Sequence, residues 1–121
     1  MPKILIVDDS PAQLYILQKI VEQGGHHIVT ATSGEQAIEI ASDEKPELIL
    51  MDIVMPGISG YQAKRNLGRN ESTRYIPVIF VSSKSDDADR AWGMRLGAKE
   101  YVTKPVNPHK LLTAISAAMA A

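Results

Sequence analysis

The sequence predicts an α/β fold in which helices cover both faces of a single doubly wound parallel sheet. Short runs rich in Val, Ile and Leu alternate with longer stretches whose apolar residues recur at helical spacing. Several of the short runs are apolar at every position, as strands covered on both faces must be. Four of them close on Asp, Ser or Lys, at the carboxyl end of the strand, where sheets of this kind bind ligands.

The first run, Ile4-Leu5-Ile6-Val7, stops at Asp8-Asp9. Ser10-Pro11 reads as an N-cap with proline at the first helical position. Leu14, Leu17, Ile20 and Val21 give that helix its apolar stripe, and Gly24-Gly25 ends it. His27 to Ala31 makes a shorter strand. Ser33 caps a second helix with Ala37, Ile38 and Ala41 facing inward. Glu47 to Met51 is the next buried strand, ending at Asp52, and Met55-Pro56-Gly57-Ile58-Ser59-Gly60 is a loop. A third helix follows to about Arg69.

Pro77 opens the run Val78-Ile79-Phe80-Val81, which breaks at Ser82-Ser83-Lys84. A fourth helix runs from about Asp86 to Leu96 and is stopped by Gly97. Lys99 to Thr103 is the last strand, and Lys104-Pro105 closes it. The final helix carries Leu111, Leu112, Ile115 and Met119. Five strands alternating with five helices imply parallel pairing with crossover helices.

With 121 residues, 45% of them apolar and 22% charged, the chain suits one globular domain spanning residues 1–121. Thirteen basic residues against 14 acidic ones leave no positive excess to neutralise a nucleic-acid backbone. Cysteine is absent, which removes disulfides, thiolate metal sites and cysteine nucleophiles. Met1-Pro2-Lys3 and the short run after it do not make a signal peptide, and no apolar stretch is long enough to cross a bilayer. A soluble cytoplasmic protein with no membrane insertion is expected.

The strand ends carry the chemistry. Asp8 and Asp9 follow the first strand, Asp52 the third, Ser82 the fourth and Lys104 the fifth. In a parallel sheet all of these face one edge. Carboxylates gathered there repel one another unless compensated, and Mg²⁺ with its oxygen ligands is suited to the task. An aspartate can also act as a nucleophile and form an aspartyl phosphate. Phosphoryl transfer then asks mainly for positioning and charge neutralisation, which a divalent cation, the Lys104 ammonium and the Ser82 hydroxyl can supply. Each residue alone is explained by turn chemistry or helix capping. Five of them after four strands are not.

Together the motifs resemble the receiver domain of response regulators, the CheY-like family: Ile-Val-Asp-Asp-Ser at 6–10, Met-Asp-Ile-Val-Met-Pro-Gly at 51–57, Val-Ser-Ser at 81–83 and Lys-Pro at 104–105. The resemblance covers Lys3 to about Met119. It implies the flavodoxin-like strand order 2-1-3-4-5. It also implies Asp52 as phosphoacceptor and a Mg²⁺ site of Asp8, Asp9, Asp52 and the Val54 backbone carbonyl. Ser82 and Lys104 would contact the phosphoryl group, Tyr101 would be the aromatic switch, and the Lys104-Pro105 bond would be cis. The implied donor is a histidine kinase or phosphotransfer protein. Output would be a downstream protein bound at the face of helix four, strand five and helix five, or phosphate drained from a kinase. No enzymatic activity is implied beyond self-phosphorylation and autodephosphorylation. Asp-Ile-Val-Met-Pro-Gly, Gly60-Tyr61-Gln62-Ala63 and Trp92-Gly93 further resemble stand-alone receivers of the chemosensory systems of pilus-based twitching motility.

Some positions depart from the commonest pattern. Val54 stands where some receivers carry a polar side chain able to orient water, and Lys84 lies two residues past Ser82. Slow loss of phosphate is expected. Trp92 shares helical spacing with Ala88 and Leu96, a stripe expected in the core. His26, His27 and His109 lack metal-ligand spacing and read as surface residues.

Three other classes fit less well. An aspartate-nucleophile phosphatase would want two acids two residues apart after the first strand and a longer chain. A flavin-binding domain would want a hydroxyl- and glycine-rich loop where Asp8-Asp9 stands. A phosphorylation-independent adaptor would not need the acidic site.

Overall fold

The computed structural model describes residues 2–120. Its elements alternate as β1 (Lys3–Val7), α1 (Pro11–Gln23), β2 (His27–Ala31), α2 (Gly34–Glu44), β3 (Leu48–Met51), α3 (Gly60–Arg69), β4 (Val78–Ser82), α4 (Asp87–Arg95), β5 (Glu100–Thr103) and α5 (Pro108–Met119). The strands form one sheet in the order β2-β1-β3-β4-β5, every neighbouring pair parallel. The order reverses between β1 and β3, which makes the carboxyl edge there the natural binding crevice.

Side-chain caps fix where the helices begin. The hydroxyls of Ser10, Ser33 and Ser59 accept from the backbone N–H of Gln13, Gln36 and Gln62, and Asn107 Oδ1 accepts from Lys110. Gln62 also bonds back to the Ser59 N–H, which completes a capping box. At the far ends Gly25 and Gly97 take positive φ, and Lys45 closes α2 at φ 47.

The alternation of strand side chains divides the core into two layers. Leu5, Val7, Ile49, Met51, Val78 and Phe80 meet Ala37 and Ala41 of α2 and Ala63 and Leu67 of α3. Ile4, Ile6, Leu48, Leu50, Ile79 and Val81 meet Leu17, Ile20 and Val21 of α1 and Leu111 and Ile115 of α5. Strands buried on both faces leave polar groups only at their ends. That is what puts the chemistry on one edge.

Two expectations need correction. The Glu47 and Lys99 positions lie just outside β3 and β5, although the Lys99 N–H still donates to the Val78 carbonyl at 2.8 Å. The larger error concerns α4. Ala88 and Trp92 are exposed and Leu96 is only partly buried, so this stripe is not core. Instead α4 turns Gly93 to the sheet, where a Cβ would lie 2.9 Å from Tyr101 Cδ2 and 3.1 Å from Phe80 Cδ2. Trp92, about 100° around the helix, packs beneath the Arg65 guanidinium of α3. A helix that approaches through glycine needs no large apolar stripe. Among the described residues no helix is long and apolar enough to cross a membrane.

Candidate functional site

The parallel ladder continues one residue past the strand ends, and this aligns the site. Asp8 N–H donates to the Ala31 carbonyl, Asp52 N–H to the Val7 carbonyl at 2.9 Å, and Lys104 N–H to the Ser82 carbonyl at 2.9 Å. Residues that follow neighbouring strands therefore sit side by side. One oxygen from each of Asp8, Asp9 and Asp52 falls within 4.8 Å of the others. Asp8 and Asp52 are buried and Asp9 is exposed.

Lys104 reaches this cluster from the far side of the sheet. Its Nζ lies 2.7 Å from Asp8 Oδ2 and 3.5 Å from Asp52 Oδ2, with the lysine side chain 14% exposed. Each buried carboxylate has a second anchor: Asp8 Oδ1 accepts from Ser10 N–H and Asp52 Oδ1 from Ile53 N–H. Burial raises the Asp52 pKa, Lys104 opposes the rise and Asp8 adds to it, and the net direction is upward. One ammonium against three carboxylates leaves the rim short of positive charge. The all-oxygen donor set fits a hard divalent cation such as Mg²⁺.

Ser82 is buried, and its Oγ accepts from Lys84 N–H at 3.2 Å. Lys84 Nζ lies 3.9 Å from Asp89 of α4. Tyr101 is 2% exposed and its hydroxyl donates to the Lys84 carbonyl at 2.6 Å. The segment after β4 is thus held at both backbone groups of Lys84. Val54 sits in the loop after β3 and is 62% exposed. The Lys104-Pro105 peptide is cis, as expected.

Sequence reasoning missed several residues that shape the site. Gly60, read as the end of a loop, is the first residue of α3, and a Cβ there would lie 2.1 Å from the Asp52 carbonyl oxygen. Its N–H donates to the Ile53 carbonyl at 2.8 Å. Gly57 takes φ +81 beside the Glu35 carboxylate, which accepts from Ile58 N–H. Tyr61 donates to the Asp89 carbonyl, and Arg90 donates to the Tyr101 carbonyl with its guanidinium over the Tyr101 ring. The Ser59-x-x-Gln62 capping box, legible in the sequence, would have placed the helix start at Gly60.

A doubly wound sheet with an acidic crevice at its switch point, faced by lysine, defines a receiver of the CheY-like type. The chain belongs to the response regulator receiver domain family, whose model matches residues 4–116. It is 47% identical to Protein PilH of Pseudomonas aeruginosa over 120 residues, 99% of each chain. Among solved structures it resembles a protein of Chloroflexus aurantiacus described as a response regulator, at TM-score 0.94 and 26% identity, over 99% of this chain and 98% of that one. It also resembles the receiver domain of the sensor histidine kinase PA1611 of Pseudomonas aeruginosa, at TM-score 0.91 and 25% identity over 99% and 98% of the two chains. That structure holds a magnesium ion coordinated in its active-site cleft.

Proposed function

We propose that residues 1–121 act as one receiver unit in which Asp52 accepts a phosphoryl group from a phosphohistidine of a histidine kinase or phosphotransfer protein. The carrying observation is the placement of Asp52, buried at the switch point, with Lys104 3.5 Å from Oδ2 and Ile53 N–H holding Oδ1. An Asp52 oxygen bonds to phosphorus as the P–N bond to the donor imidazole breaks and the nitrogen keeps its electron pair. Lys104 shields the incoming phosphoryl oxygens from Asp8 and orients them. Ser82 exchanges its Lys84 contact for the phosphoryl group. Asp8, Asp9 and Asp52, with the Val54 carbonyl, would hold Mg²⁺, which when bound neutralises the charge of the clustered carboxylates and phosphoryl oxygens.

Output is by protein contact at the face of α4, β5 and α5, where buried Tyr101 joins the Ser82–Lys84 segment to the surface, or by draining phosphate from a kinase. Such a device shifts a pre-existing two-state population. It catalyses nothing beyond its own phosphorylation and dephosphorylation. Similarity to Protein PilH, together with the motifs at 52–57, 60–63 and 92–93, supports a place in a cytoplasmic chemosensory pathway serving twitching motility.

Acetyl phosphate with Mg²⁺, followed by intact mass, tests this reading. A single phosphoryl gain that is lost in Asp52→Ala is expected. No gain, or one that survives the substitution, favours an adaptor that keeps the fold without the chemistry.

A further inference from the structure

Two side chains of α3 reach across to α4. Tyr61 donates its hydroxyl to the Asp89 carbonyl at 3.2 Å, and one turn later Arg65 places its guanidinium 5.4 Å from the centre of the Trp92 ring. The Tyr61 ring stands edge-on to Phe80 at 5.3 Å, and Phe80 in turn packs against Tyr101 at 6.3 Å. Burial pushes the Tyr61 phenol well above its usual pKa, so it remains a donor. The other end of this connection is Gly60, which seats the start of α3 on the Asp52 carbonyl with no room for a methyl group. Adjacent residues of one helix thus touch the acceptor's backbone and the first turn of α4.

We propose that Tyr61 is a positioning residue for α4, forming a second connection between Asp52 and the α4–β5 face beside the one through Ser82 and Tyr101. The proposal rests on Asp52 being the phosphoryl acceptor. Close-packed elements transmit small displacements as discrete shifts. The Gly60 contact leaves no slack at the Asp52 end, and the Tyr61 hydrogen bond fixes the α4 end. A device of this kind needs a neutral donor of fixed reach, which a partly buried tyrosine with its ring packed on Phe80 supplies.

Trp92 is the only tryptophan in the chain and lies on α4, 38% exposed, so its emission reports on the position of that helix. The wild type, Tyr61→Phe and Gly68→Ala are titrated with beryllofluoride in the presence of Mg²⁺ while Trp92 emission is followed. Tyr61→Phe keeps the ring against Phe80 and removes only the hydroxyl. Gly68 is on α3 with open space around it and serves as a control for helix stability alone. Tyr61→Phe is expected to alter the emission before any beryllofluoride is added and to change the half-saturating concentration about 2- to 10-fold, the range for one net hydrogen bond. Gly68→Ala is expected to do neither. Tyr61→Phe titrating like the wild type, or Gly68→Ala reproducing its effects, overturns the proposal. A wild-type chain that takes up no phosphoryl group from acetyl phosphate sinks the acceptor reading, and this one with it. Phosphoryl uptake with an unchanged Tyr61→Phe sinks this one alone.

Discussion

Lys104 and Asp8 are 96 positions apart in the chain, yet the lysine Nζ lies 2.7 Å from Asp8 Oδ2. The contact spans the sheet from the end of β5 to the end of β1, and it passes Asp52 on the way, 3.5 Å from its Oδ2. An ammonium shared by two buried carboxylates holds the edge together while leaving it net negative.

Removing that ammonium strands both carboxylates. Lys104→Met is expected to lower stability by roughly 3 kcal/mol in chelator, the lower end for breaking a buried pair. Mg²⁺ is expected to recover part of the loss. Urea unfolding of both proteins, with and without Mg²⁺, checks this, and equal deficits in both conditions would argue that the cation does not bind among these carboxylates.

Metal-free stability carries a signature of Asp52. Its folded-state pKa is raised, by burial first, with Lys104 opposing and Asp8 adding. A raised carboxyl holds its proton more tightly folded than unfolded. Its contribution is therefore complete below the ordinary carboxylate range and is lost as pH rises through the folded value. The difference between wild type and Asp52→Asn, measured in chelator, should shift in favour of the variant as pH rises. A difference that stays flat with pH contradicts the shift.

Gly60 tests the seat of α3. Gly60→Ala places a methyl group against the Asp52 carbonyl oxygen, a backbone atom that cannot swing aside. A loss of about 3 kcal/mol is expected, the upper end for overpacking, together with impaired phosphoryl uptake. Gly68→Ala in the same helix meets nothing within 4 Å and should instead gain about 0.5–1 kcal/mol. Chemical denaturation of the pair separates close approach from helix propensity.

The phosphoryl group is expected to persist for minutes or longer. Val54 offers no polar atom on its side chain to orient a hydrolytic water, and Lys84 is drawn toward Asp89 at 3.9 Å. Val54→Asn should shorten the lifetime severalfold, followed as loss of the phosphorylated mass after removal of acetyl phosphate. A wild-type half-life of a few seconds would refute the reading.

The strands and the acidic rim were legible because both obey local rules. Ile4 to Val7 and Val78 to Val81 are short, apolar at every position and bounded by polar residues, as doubly covered strands are, and the residues at their carboxyl ends then emerge at the edge. Helix four was not legible in the same way. Its apolar spacing at Ala88, Trp92 and Leu96 suggested a core stripe, but the face that meets the sheet carries Gly93 because Tyr101 and Phe80 already fill the space. The roles of Gly60 and Tyr61 were hidden for a related reason: each depends on a residue far along the chain or in another element.

What the sequence alone determined is the order of elements, the cap that starts each of α1 and α2, and the five polar residues at the carboxyl ends of four strands. Those features arise from neighbours a few positions apart, where hydrogen-bonding geometry and side-chain periodicity suffice. Only the tertiary structure decided that Lys104 bridges Asp8 and Asp52, that α3 begins on the Asp52 carbonyl, and that α4 is held by Tyr61 and packed through Gly93. Those are contacts between elements, set by how closely packed surfaces fit, and no local pattern of residues encodes that fit by itself.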